Sequence, residues 1–116
     1  MSIIIGLYGS FEWEANQIFD KESSHRSMIH DSGVTLFKNG NHVCSISEER
    51  LSKIKNDGNF PINSINYCLN YANILCEEVD YVYIPSMCVD IFYKKWYDNV
   101  IHEKIKNIFP NSEIKN

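Results

Sequence analysis

Short apolar runs alternate with polar knots along this chain, and two longer stretches carry apolar residues at helical spacing. Ile3-Ile4-Ile5-Gly6-Leu7-Tyr8-Gly9 is a β-branched run closed by glycine and serine. It predicts a strand buried on both faces. From Ser10 to Met28 the periodicity is weak and polar groups are frequent. That pattern predicts a long loop insertion over 10–29, with a helical turn around Glu12 to Phe19 and Phe11, Trp13 and Phe19 anchoring it. Val34 to Lys38 and His42 to Ile46 then flank Asn39-Gly40. Asn-Gly between two strand-like runs predicts a hairpin, because a type I′ turn needs positive φ at both central residues. The strand ends away from the turn must then lie side by side. His30, Asp31 and Ser32 come near Glu48, Glu49 and Arg50.

Leu51 to Asn59 reads as a polar connector ending in the turn signal Asp57-Gly58-Asn59. Phe60-Pro61 opens a helix, since proline at the first helical position lacks an amide proton that would be unsatisfied there. Ile62, Ile65, Leu69 and Ala72 follow at helical spacing, with Cys68 and Leu75 on the same side. Glu77-Glu78 predicts a turn, and Val79 to Ile84 a strand stopped by Pro85. A helix between two strands is a crossover, and crossovers join parallel strands. Val89 to Phe109 predicts a second amphipathic helix, with Phe92, Tyr93, Trp96, Val100, Ile101, Ile105 and Ile108 as its apolar stripe. Glu113 to Asn116 has the makings of a further strand. An α/β order of three early strands with an antiparallel start, a crossover helix, a parallel strand and a second helix is the opening of the ribonuclease H-like fold shared by actin. Four strands and two helices cover a sheet poorly, so residues 1–116 read as the N-terminal portion of a larger, actin-like domain.

Composition narrows the partners. A chain of 116 residues holds one domain or part of one. A net charge of −4 with scattered Lys and Arg argues against a nucleic-acid partner. No apolar run approaches the ~18 residues of a membrane span, and Met1-Ser2-Ile3-Ile4-Ile5 lacks a signal peptide's basic region. The expectation is a cytoplasmic protein without a membrane partner. Cys44, Cys68, Cys76 and Cys88 form no C-x-x-C pair, so they read as buried thiols rather than metal ligands.

The chemistry gathers at the open end of the hairpin. The first strand carries no carboxylate, which counts against a two-metal nuclease and weakens an ATPase or kinase reading of the same fold. Gly6 and Gly9 suit either backbone passing close to a phosphate or tight packing. His30 could move a proton near neutral pH, with Asp31 orienting a neighbour, or could be a surface histidine at a strand start. Glu48-Glu49-Arg50 could be a solvated strand end, or Arg50 and Lys55 could meet an anionic substrate.

These residues resemble a family, the O-carbamoyltransferases of nodulation-factor, cephamycin and aminoglycoside pathways. The resemblance rests on Ile5-Gly6-Leu7, His30-Asp31-Ser32, Asn39-Gly40, Glu48-Glu49-Arg50-Leu51-Ser52-Lys53-Ile54-Lys55, Asp57-Gly58-Asn59-Phe60-Pro61 and Tyr67-Cys68-Leu69, in matching order from residue 29 to about residue 84. It implies an enzyme that makes carbamoyl-adenylate from ATP and carbamoyl phosphate, then passes the carbamoyl group to a hydroxyl of a sugar or antibiotic-like acceptor. It implies His30 and Asp31 as catalytic, and Lys55, Arg50, Glu49 and Ser32 as substrate- or nucleotide-binding. Ser32-Gly33-Val34 departs from the family's Ala-Ser-Ala, and the loop over 10–29 is longer than in most members. The family's iron or other divalent metal would be held by a His-His-x-x-His-Ala motif beyond Asn116, so this segment is expected to bind none. The chain alone is then expected to be inactive and to need the remainder of its own domain. The other reading is a non-catalytic module or split remnant acting by self-association, as a homodimer.

Overall fold

A computed structural model describes residues 2–8, 32–55, 60–84 and 91–115, with the backbone alone at 91–98 and 100. The loop over 10–29, Gly9, His30, Asp31, the Asp57-Gly58-Asn59 turn, Pro85 and Cys88 lie outside the described residues. So do the side chains of Phe92, Tyr93, Trp96 and Val100.

The described strands are β1 (Ile3–Tyr8), β2 (Gly33–Lys38), β3 (Asn41–Ser47), β4 (Tyr81–Tyr83) and β5 (Glu113–Lys115). They make one sheet in the order β3-β2-β1-β4-β5. β1 pairs antiparallel with β2 and parallel with β4, β2 pairs antiparallel with β3, and β4 pairs parallel with β5. Three described α-helices join them, α1 (Glu48–Ser52), α2 (Ile62–Ala72) and α3 (Ile91–Ile108), with a 3-10 turn at Cys76–Glu78.

Asn39 and Gly40 both sit at positive φ, 54° and 83°, as a two-residue turn between right-twisting strands requires. Backbone and side chain of Asn39 tie the turn to Ser2 at the start of β1. Beyond the turn the ladder carries a bulge. Phe37 faces His42, but Leu36 faces Cys44, so Val43 is the extra residue. Val43 and Cys44 therefore both pack toward the core, and Ser45 returns to the opposite face beside Thr35. Strict alternation would have turned Cys44 outward with His42.

β1 alternates. Ile3, Ile5 and Leu7 are buried, whereas Ile4, Gly6 and Tyr8 are half-buried. Leu36, Val34 and Val82 lie on the same face as the buried set. That face joins Ile65, Cys68 and Leu69 of α2, and Ile101, Ile105 and Phe109 of the α3 region, in one core cluster. A strand fully buried on both faces is thus not what the described residues show. The helices' buried residues gather on one face, and the other carries Gly6, Thr35, Ser45 and Tyr83.

The apolar stripe of α2 is narrower than spacing alone predicts. Ile62 is 41% exposed and Leu75 65%. Asn73 takes the left-handed conformation (φ 57°) and ends the helix, and Ile74 donates back to the Leu69 carbonyl at 3.0 Å. This closing motif leaves Ile74 buried in the place Leu75 would have held.

Candidate functional site

The hairpin does bring the two polar stretches together. Gly33 pairs with Ser47, and the Glu48 N–H donates to the Ser32 carbonyl at 2.9 Å. Gly33 is held to glycine by close approach. A Cβ there would stand 2.9 Å from the Ile46 carbonyl oxygen and 3.2 Å from the Ser47 Cα, both backbone atoms.

Past Ser47 the chain does not fray into a connector. It turns into α1, which carries Glu48 inward. Glu48 is 3% exposed, which overturns the solvated strand end. Its Oε1 accepts from the Ser64 N–H at 2.9 Å and the Ser64 hydroxyl at 2.8 Å. Its Oε2 accepts from the Asn63 amide nitrogen at 2.8 Å and, more weakly, the Asn63 N–H at 3.4 Å. These donors are the first turn of α2. The helix-preceding Pro61 has no side-chain oxygen, so the first N–H groups find no local cap. A carboxylate from α1 satisfies them and sits at the positive end of the helix dipole. A helix opening at Phe60-Pro61 without Ser, Thr, Asp or Asn at the cap is the signal that an acceptor must come from elsewhere in the chain.

The other candidate residues fan outward from this buried anchor. Glu49 is half-buried and its carbonyl accepts from the Lys53 N–H at 2.9 Å. Lys53 adopts φ 66° and closes α1. Arg50 and Lys55 are exposed, and Ser32 is fully buried.

Along the sheet lies a groove of about 1130 Å³. Gly6, Thr35, Ser45 and Tyr83 line it, with Ser32 and Arg50 at the hairpin's open end. Lys55 and Glu49 do not line it. Among the described residues nothing stands within 4 Å of a Cβ built on Gly6, so their packing does not impose that glycine, and its absent side chain leaves groove floor open. Arg50 is the charged side chain among the described lining residues. A chain of hydroxyls also borders the groove, unforeseen in the sequence. His42 Nε2 lies 2.7 Å from Ser45 Oγ, which lies 2.9 Å from Thr35 Oγ1. The bulge at Val43 makes it, and no local sequence signal marks that bulge. The groove can thus offer an anion one guanidinium and several hydroxyls.

Among the described residues no group of three or more His, Cys, Asp or Glu is placed to hold a metal ion. No described helix is long and apolar enough to cross a membrane.

Comparison with known proteins gives the ancestry of this arrangement. Nodulation protein NolNO of Sinorhizobium fredii is 28% identical over 79 residues, covering 68% of this chain and 11% of that protein. The uncharacterised protein sll1178 of Synechocystis is 42% identical over 66 residues, covering 57% of this chain and 9% of its own length. An uncharacterised 19.2 kDa protein of Rhizobium etli is 23% identical over 112 residues, with 97% of this chain and 60% of that one covered. The chain therefore spans about a tenth of the first two relatives. Among solved structures, YeaZ from Pseudomonas aeruginosa superposes with a TM-score of 0.54 at 10% identity, over 99% of this chain and 42% of that one. At that identity the likeness speaks for the fold alone, a mixed α/β fold of the actin-like, ribonuclease H-like kind. Residues 24–110 match the family described as Carbamoyltransferase N-terminus. With three quarters of its length inside that match, the chain belongs to the carbamoyltransferase N-terminal family.

Proposed function

We propose that this chain is the front portion of an enzyme that forms carbamoyl-adenylate from ATP and carbamoyl phosphate and transfers the carbamoyl group to a hydroxyl of a small acceptor. The observation that carries the reading is the family match across residues 24–110, which includes the whole polar stretch from His30 to Lys55. The groove supports it. Arg50 and Ser32 stand where the two motif ends meet, and the floor at Gly6 leaves room beside them for a phosphate. In this reading His30 takes the proton of the attacking hydroxyl, Asp31 orients it, and Lys55 and Arg50 meet phosphate charge. Glu49 and Ser32 join them in binding the substrate or nucleotide. Any metal would be held by residues outside this chain.

The test uses the longer protein in which this segment is embedded. His30→Asn is expected to abolish carbamoyl transfer while far-UV circular dichroism and thermal midpoint stay unchanged. Normal turnover by that variant would end the site assignment. Lys55→Ala is expected to raise the KM for ATP or carbamoyl phosphate at least tenfold. The 116-residue chain alone is expected to give no carbamoylated product from ATP, carbamoyl phosphate and a sugar acceptor.

A further inference from the structure

Cys44 on β3 and Cys68 on α2 meet in the core with their sulfurs 3.2 Å apart. That is closer than two carbons ordinarily pack, ~3.5–4.0 Å. Both are free thiols. Cys68 is sealed at 0% exposure, whereas Cys44 retains 8% and lines the groove. The pair exists because the bulge at Val43 turns Cys44 inward and because the stripe of α2 places Cys68 opposite it. Neither thiol has a part in the carbamoyl-transfer reading.

We infer that Cys44 and Cys68 are a modification site, a dithiol that a low-molecular-weight disulfide converts into an intramolecular disulfide tying β3 to α2. The bond would span the segment that carries Glu48, Glu49, Arg50 and Lys55. Cys44 acts first, being the less deeply buried of the two. Its thiolate attacks one sulfur of the small disulfide and expels one small thiolate, leaving a mixed disulfide on Cys44. Cys68 then loses its proton and attacks the Cys44 sulfur, and the second small thiolate leaves. The two protein thiols lose two electrons and two protons, and the small disulfide becomes two small thiols. The resolving thiol sets the pace. Burial, reinforced by the neighbouring Cys44, pushes Cys68 up to about 12, so its thiolate is scarce at neutral pH. The sulfurs need only approach from 3.2 Å to about 2.05 Å.

The experiment exposes the native chain to oxidised glutathione at pH 7, 8 and 9. Samples are quenched in acid, unfolded, alkylated and peptide-mapped, in the wild type and in a Cys76→Ser/Cys88→Ser variant. The expected product is a Cys44–Cys68 cross-linked peptide, about 2 Da lighter than the two reduced peptides together. It should reverse with dithiothreitol and raise the thermal midpoint by several degrees. Its rate should climb roughly tenfold per pH unit. Two alkylatable thiols at positions 44 and 68 after exposure, or a reaction that stops at a glutathione adduct on Cys44, would overturn the inference. Should the double variant fail to fold, the wild-type map decides alone, because the mass of the cross-linked peptide names its two cysteines.

Discussion

A single carboxylate shows how far a sequence pattern reaches and where it stops. Glu48, Glu49 and Arg50 look alike as a charged triplet, yet Glu48 is buried and bonded to Asn63 and Ser64 while Arg50 stands in solvent. Burial of one member depends on a helix whose residue Asn63 lies fifteen positions on, which no local pattern reports. Only the missing cap at Pro61 hints at it. Replacing Glu48 by Ala strands buried donors at Ser64 and is expected to cost about 2–4 kcal/mol, read as a lower urea midpoint. Glu48→Gln keeps an acceptor but loses the charge, and about 1–2 kcal/mol is expected to go. Cys68 supplies a pH dependence. Its thiol rises from the ordinary 9.0 to about 12 because burial disfavours the thiolate. The native state therefore keeps a proton that the unfolded chain releases. The stability this represents is whole below pH 9 and drains as pH climbs toward 12, by at most about 1.4 kcal/mol per pH unit. Urea titrations between pH 8 and 10.5 should show the decline, and Cys68→Ala should flatten it.

Elements were legible where one local force decides them. Asn39-Gly40 sets the hairpin, and Ile65, Cys68 and Leu69 set the buried side of α2. Their edges were not. Asn73 ends α2 by adopting positive φ, a choice also open to other asparagines in this chain that do not make it. The short α1 is too brief for periodicity to reveal, and the bulge at Val43 is invisible to an alternation rule. The two described strand glycines that face β3 and the groove, Gly33 and Gly6, separate packing from space. Gly33→Ala pushes a methyl into the backbone of β3 and is expected to cost about 1–3 kcal/mol. Gly6→Ala meets none of the described residues and should leave the stability within about 0.5 kcal/mol of wild type, read from the urea midpoint. In the longer enzyme a bulkier Gly6→Leu should weaken binding of ATP or carbamoyl phosphate, measured by titration, with little change in the thermal midpoint.

At the scale of the molecule, strand order follows from the alternation of hairpin and crossover, so the sequence of elements already implied a mixed sheet. The meeting of the two polar stretches at the open end of the hairpin was readable, but the groove beside them was not, because its floor is set by β1, β2 and β3 lying side by side and by the bulge at Val43. Layering also differs from a strand buried on both sides: the buried helix residues serve one face, and Gly6, Thr35 and Ser45 floor a groove on the sheet. The first strand occupies the middle of that sheet, with β2 on one side and β4 on the other. Ile3 donates its N–H to the Asp80 carboxylate and accepts from the Asp80 N–H, both at 2.9 Å. During translation the hairpin can zip beside β1 early, but β4 leaves the ribosome only about 75 residues after Ile4. At ~5–20 residues per second that is a wait of roughly 4–15 s. Throughout it Ile3, Ile4 and Ile5 present one unpaired backbone edge, the kind of surface that trigger-type chaperones shield and that seeds inclusion bodies. Slower growth at low temperature with chaperone co-expression should therefore raise the soluble yield, whereas clipping residues 2–5 should abolish it, since the clip removes the centre of the sheet rather than a border.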